Sequence, residues 1–213
     1  MKYMNFIFDL YGTLIDIHTD EEEPGLWKFM SGYLLKNFDT KIDPKELRRR
    51  YIQECALKEK ELQNKNGSSF PKIKIEWVWA ELIGKSVTDR KMKELCVAFR
   101  ERSRDRLEVY EDVPDVLSDI KNCGGRIFLL SNAQRLFTEK ELDDTGLTPY
   151  FDDIFISSDM GIKKPDGKFL EALIEKHVLK KKECIMIGNE KASDGGAAIA
   201  AGIDYMIVTD CVV

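Results

Sequence analysis

Near the start of the chain a carboxylate, Asp9, follows the apolar run Phe6-Ile7-Phe8 and precedes Leu10-Tyr11-Gly12-Thr13-Leu14. A carboxylate delivered by the carboxyl end of a strand into a glycine-permitted turn is placed to act as a covalent nucleophile. Thr13 adds a hydroxyl beside backbone N–H groups that can hold an anion. Other reactive side chains follow apolar runs further along. Ser131 and Asn132 come after Leu129-Leu130, Lys164 stands in Gly161-Ile162-Lys163-Lys164-Pro165-Asp166, and Asn189, Glu190 and Asp194 come after Ile187-Gly188. Taken alone, each of these is an ordinary strand-to-loop transition or an exposed loop.

The frame that must hold them is legible in the hydrophobic pattern. Apolar runs at Met4 to Phe8, Arg126 to Leu130, Ile154 to Ile156, Cys184 to Ile187 and Tyr205 to Val208 are continuous rather than alternating, as in strands buried on both faces. Helical patterns at Thr138 to Thr145, Asp166 to Lys176 and Ala192 to Ala201 lie between the last four, with Pro165 expected to open the second helix. The alternation predicts an α/β fold: a Rossmann-like parallel sheet with helices on both faces and a site beyond the strands' carboxyl ends. From about Pro24 to Val109 no strand is evident. Helical patterns run instead through Leu26 to Phe38, Pro44 to Gln63, Ile75 to Ile83 and Asp89 to Leu107. Leu26, Trp27, Phe29, Met30, Tyr33, Leu34, Trp77 and Trp79 would supply their apolar faces, with one or two free to meet a substrate.

In this order the motifs resemble those of the haloacid dehalogenase (HAD) superfamily over nearly the whole chain. The resemblance implies residues 1–16 and 111–213 as a Rossmann-like catalytic core and 17–110 as an inserted all-helical cap domain, a mobile lid over Asp9. It implies catalytic roles for Asp9, Tyr11, Thr13, Ser131, Asn132, Lys164, Asn189 and Asp194. Gly12, Ser131, Asn132 and Lys164 would contact the substrate, Lys164 neutralising the negative charge that Asp9 and an anionic substrate bring together. Phosphatases of the family carry Asp where this chain has Tyr11 and again where it has Asn189. Their second Asp protonates the leaving group, which a phenol of pKa near 10 does poorly. Dehalogenases of the family carry Tyr there, because halide leaves without a proton. The resemblance therefore implies a hydrolase of a small anionic metabolite, with dehalogenase chemistry favoured and no cofactor required. On the alternative phosphatase reading, Mg²⁺ would be held by Asp9, the Tyr11 carbonyl, Asn189 and Asp194, Asn offering only a neutral carbonyl. A non-catalytic anion-binding protein is the remaining alternative, against which the joint presence of Asp9, Ser131 and Lys164 argues. The dehalogenases' cap arginine would fall among Arg48, Arg49 and Arg50, which read better as an exposed helix face.

Composition narrows the setting. Lys plus Arg number 33 against 38 Asp plus Glu, a net charge of −5, and the basic runs carry no interleaved aromatics, so no nucleic-acid partner is expected. No stretch approaches a membrane span or a secretory leader. Cys55, Cys96, Cys123, Cys184 and Cys211 form no C-x-x-C pair and fit a reducing cytoplasm, with Cys123 and Cys184 expected to be buried. His18 and His177 have no partner at ligand or triad spacing and read as surface residues. Oligomeric state is not legible in the sequence.

Overall fold

The nucleophile candidate's strand, β1 (Asn5–Phe8), lies at the middle of a parallel sheet, and the chain leaves it through a turn into β2 (Ile15–Thr19). Four helices follow: α1 (Pro24–Phe38), α2 (Pro44–Asn66), α3 (Ile75–Ile83) and α4 (Asp89–Ser103). The chain returns through β3 (Arg104–Val109) and α5 (Val113–Asn122), then alternates: β4 (Arg126–Ser131), α6 (Arg135–Asp144), β5 (Asp153–Ile156), a short α7 (Ser157–Met160), α8 (Gly167–Lys176), β6 (Cys184–Gly188), α9 (Gly196–Ala201) and β7 (Asp204–Ile207). The computed structural model describes residues 2–208, so Cys211 lies outside the described residues.

The sheet runs β5-β4-β1-β6-β7, every pair parallel. Side chains alternate across it, as the strand repeat requires. Ile7, Phe128, Leu130 and Met186 face α8 and α9, whereas Phe8, Ile127, Leu129, Ile185 and Ile187 face the side covered by Leu117 of α5 and Leu142 of α6. Burial on both faces explains the unbroken apolar runs. After β1 the chain builds outward to β4 and β5, then returns to the other side for β6 and β7. The strand order therefore reverses beside β1, where open α/β sheets leave a crevice at the strands' carboxyl ends.

Helices α1–α4 bury a separate apolar cluster in which Trp27, Tyr51, Trp79 and Phe99 pack with ring centroids 5.1–5.8 Å apart, and Phe137 of α6 joins it. Phe29 and Trp77, expected on these inner faces, are instead about 40% exposed. The expectation of no strand from about Pro24 to Val109 fails at its end: β3 pairs antiparallel with β2 from Ile15↔Val109 to Thr19↔Arg104, so the last helix stops at Ser103 rather than near Leu107. α5 was not anticipated, although Pro114 in its first turn is a helix-start signal. Pro165 does not open α8. Asp166 caps that helix, its carboxylate accepting from Lys168 N at 3.1 Å, and Pro165 stands outside it. Cys184 is buried as expected, but Cys123 is exposed. His177 is no surface residue: its ring lies against Phe128 and its Nε2 is 2.6 Å from Asp153. His18 is exposed and pairs with Asp105 at 2.7 Å.

Candidate active site

Asp9, the first residue after β1, is fixed by its own N–H donating to the Ile187 carbonyl at 2.9 Å. Its buried carboxylate accepts from Lys164 Nζ at 2.6 Å through Oδ1. The same ammonium donates to the Leu130 carbonyl at 2.7 Å and lies 2.7 Å from Asp194 Oδ1. One buried cation thus serves two buried carboxylates, leaving the trio net negative. Burial pushes the Asp9 carboxyl above the usual carboxylate range, Lys164 opposes that push, and Asp194 adds to it. Asp194 Oδ1 has no hydrogen-bond donor despite its proximity to Lys164, and the buried Ser131 hydroxyl has no partner either among the described residues. Both line the same cavity of about 430 Å³ with Asp9, Asn189 and Ser193. The Ser131 hydroxyl, buried without a partner, carries a penalty that a ligand removes.

The loops explain their glycines. Gly12 has φ +78°, and a Cβ there would lie 2.3 Å from Asn189 Nδ2, so its bare face admits the Asn189 side chain rather than a ligand. Asn189 Oδ1 and Asp9 Oδ2 both lie near the Thr13 hydroxyl, at 3.4 and 3.5 Å. A Cβ on Gly188 would come within 2.1 Å of Asp194 Oδ2, so that glycine lets the Asp194 carboxylate fold back to accept from Glu190 N at 2.9 Å. A π-helical turn, Lys191–Gly195, carries Ser193 and Asp194 inward before α9. Asn132 does not aim a free amide at the cavity. Its Oδ1 accepts from Lys164 N at 2.9 Å and its Nδ2 donates to Lys164 O at 3.1 Å, a two-point clasp that seats the lysine.

Tyr11 is tied through its hydroxyl to α6. Its hydroxyl donates to Glu141 and lies 3.1 Å from Thr138 Oγ1, both on α6, and Glu141 also accepts from Arg100 Nε and Arg104 at 2.7 Å each. Burial and the Glu141 charge push the phenol above its usual pKa. A side chain so committed is not poised to protonate a leaving group at Asp9. Tyr11→Phe is therefore expected to leave kcat within a few-fold of wild type, whereas removal of a general acid costs ~10²–10⁴. Steady-state kinetics on the two proteins decide between these outcomes.

Arg48 and Arg49 pair with Glu22 and Glu46 on the surface, and neither they nor Arg50 reach the cavity. The sequence reading passed over Arg100, Glu141, Lys72 and Gln134. Glu141 left one signal: it shares a helix face with Phe137, Thr138 and Leu142, where a lone carboxylate needs partners.

The acidic and amide side chains lining the cavity are the carboxylates of Asp9, Glu190 and Asp194 and the amides of Asn132 and Asn189, and oxygen donors of this kind are what a hard cation requires. Among the described residues no three His, Cys, Asp or Glu side chains form a metal-binding group. Among the described residues no helix is long and apolar enough to cross a membrane.

A family model described as haloacid dehalogenase-like hydrolase matches residues 3–202. Phosphoglycolate phosphatase of Vibrio parahaemolyticus is 28% identical over 120 residues, which cover 54% of this chain and 53% of that protein. (S)-2-haloacid dehalogenase of a Pseudomonas species is 26% identical over 177 residues, 80% of this chain and 68% of that protein. The chain spans about half the length of the curated phosphatases it matches. Among solved structures, L-2-haloacid dehalogenase of Xanthobacter autotrophicus superposes with a TM-score of 0.56 at 16% identity, covering 97% of this chain and 77% of that one. A HAD family enzyme of Bacteroides thetaiotaomicron gives 0.62 at 18%, covering 99% and 96%. At such identities the superpositions establish the fold.

Proposed function

The chain belongs to the haloacid dehalogenase-like hydrolases, and from that premise we propose that it hydrolyses a small anionic substrate whose leaving group departs without a proton, a 2-haloacid being the favoured class. Asp9 is the nucleophile. Its Oδ2, the oxygen not bonded to Lys164, displaces the leaving group from carbon, so that the carbon–halogen bond breaks, halide departs with the electron pair and an aspartyl ester forms. Water then adds to the ester carbonyl at Asp9 Cγ, one proton passing to Asp194. As the ester C–O bond opens, Asp194 returns that proton to the departing alkoxide oxygen, so the hydroxy acid leaves, and the water's second proton is lost to solvent from the Asp9 carboxyl, regenerating its carboxylate. Lys164 balances the charge of the nucleophile, and the unpartnered Ser131 hydroxyl holds the substrate's acidic group. Helices α1–α4 are a cap that excludes water while the first step proceeds. The single observation that carries the reading is the engagement of the Tyr11 hydroxyl by Glu141 and Thr138, which withholds a leaving-group acid.

A second reading, a phosphatase of good leaving groups such as acyl phosphates, is favoured by the curated phosphatase relatives. One panel separates the two. Turnover of 2-chloropropionate, acetyl phosphate and an alkyl phosphate is measured with and without EDTA. The expected result is halide release that is indifferent to EDTA and no turnover of the alkyl phosphate. EDTA-sensitive release of phosphate in place of halide sinks the dehalogenase reading.

A further inference from the structure

We propose that the cavity beside the catalytic one receives a second anionic group of the substrate, held by Lys72, so that the preferred substrate is a small dianionic acid. The proposal rests on the reading of the chain as a small-anion hydrolase and adds the far end of its substrate. This cavity, about 290 Å³, shares Tyr11 and Asn132 with the catalytic one, so a molecule reaching past Asn132 from Asp9 enters it. Its charged lining is Lys72, Arg100, Glu21 and Glu59. Arg100 is committed to Glu141. Lys72 is not committed: among the described residues its half-buried ammonium makes no ion pair or hydrogen bond. Burial disfavours its charge and nearby Lys163 acts in the same direction, whereas Glu59 and Glu21 act against them without reaching ion-pair distance. An arriving carboxylate relieves that cost. Burial also raises the Glu21 pKa, while the nearby Arg100 and Lys72 charges oppose that rise.

The position of Lys72 is built rather than incidental. Lys72 N donates to Gly161 O at 3.1 Å and Lys163 N to Phe70 O at 3.0 Å, a strand-like bridge onto the loop that carries Lys164. The Ser68 hydroxyl donates to Asp166 at 2.6 Å. Buried Gln134 donates to Ile73 O at 2.9 Å and accepts from Ile75 N at 3.2 Å, gripping the backbone just beyond Lys72. With the backbone at Lys72 fixed before the ligand arrives, only the lysine side chain remains to be ordered on binding.

The test is binding of inert acids, and so does not depend on which reaction Asp9 performs. Calorimetry compares α,ω-dicarboxylates from malonate to adipate with monocarboxylates of equal length, on wild type and on Lys72→Met. In wild type at least one dicarboxylate is expected to bind tenfold or more tighter than its monocarboxylate. Lys72→Met should erase that preference while leaving monocarboxylate affinity unchanged, and Lys72→Arg should retain it. A wild type without any preference, or a preference that survives in Lys72→Met, overturns the proposal. If Lys72→Met does not fold, Lys72→Gln takes its place with the same two outcomes. Should the halide assay fail while the preference holds, the reaction assignment falls and the subsite stands.

Discussion

Asp9→Asn is expected to lower kcat by at least ~10³-fold, because an amide oxygen cannot form the covalent ester that splits the reaction into two easier steps. The same change should not weaken the fold at neutral pH. The Asp9 carboxyl sits in a site that raises its pKa by burial, so the folded protein holds this proton more firmly than the unfolded chain. For such a group the contribution to stability is fully present below the unfolded pKa, about 3.9, and is lost as pH rises through the folded one. Asparagine has no charge to bury and escapes that loss. The variant should therefore melt at or above the wild-type temperature at pH 7 to 8, the gap closing as pH falls toward 4. Turnover follows the same ionisation in wild type, so the acid limb of kcat/KM should lie above the usual carboxylate range. An Asp9→Asn variant that keeps a substantial fraction of activity, or a wild-type acid limb near pH 4, would refute the assignment of the nucleophile.

Lys164→Met should be costly in both respects. It leaves Asp9 and Asp194 buried without their shared cation, and breaking such a pair by removing one partner costs about 3–5 kcal/mol. It also strips the preorganised charge that steadies the reacting carboxylate, an effect worth ~10²–10³ in kcat. The pH dependence separates this from a simple packing loss. Without Lys164 the Asp9 pKa rises further, so the destabilisation should be largest at neutral pH and shrink on acidification as Asp9 takes up its proton. The acid limb of kcat/KM should move to higher pH than in wild type. A deficit in melting temperature that is the same at pH 5 and pH 8 would show that charge on Asp9 is not what Lys164 balances.

The parallel sheet was legible because strands buried on both faces leave unbroken apolar runs, and Asp9, Ser131 and Asn189 stood at or just after the carboxyl ends of three of them. The β2–β3 ribbon was not. Asp16 opposite Glu108 and His18 opposite Arg106 give charged, half-exposed strands, and the arginines and glutamate of β3 continue the composition of the helix before it. The partners of Tyr11 were not legible for a related reason. Its identity suggested a chemical comparison at Asp9, whereas its hydroxyl is committed by Glu141, 130 positions away, held in turn by Arg100 and Arg104. Lys72 could not be singled out from the sequence, since its cavity exists only where the α2–α3 loop docks on the Lys164 loop. Local pattern reveals what a segment buries; contacts between distant segments decide which polar groups are left over.

The β2–β3 ribbon bears on how the molecule assembles. β1 pairs with β4 across ~120 residues of intervening chain, a separation that makes parallel pairing slow. Between them, α1–α4 meet largely through contacts near in sequence, α1 on α2, α2 on α3 and α3 on α4. Once these have formed and the ribbon has zipped, the chain that must still be closed to pair β1 with β4 is roughly a quarter as long, which lowers the closure entropy by ~1 kcal/mol. A variant that unzips Ile15–Thr19 from Arg104–Val109 is therefore expected to slow the birth of the sheet more than it weakens the finished protein, as refolding and unfolding rates would show.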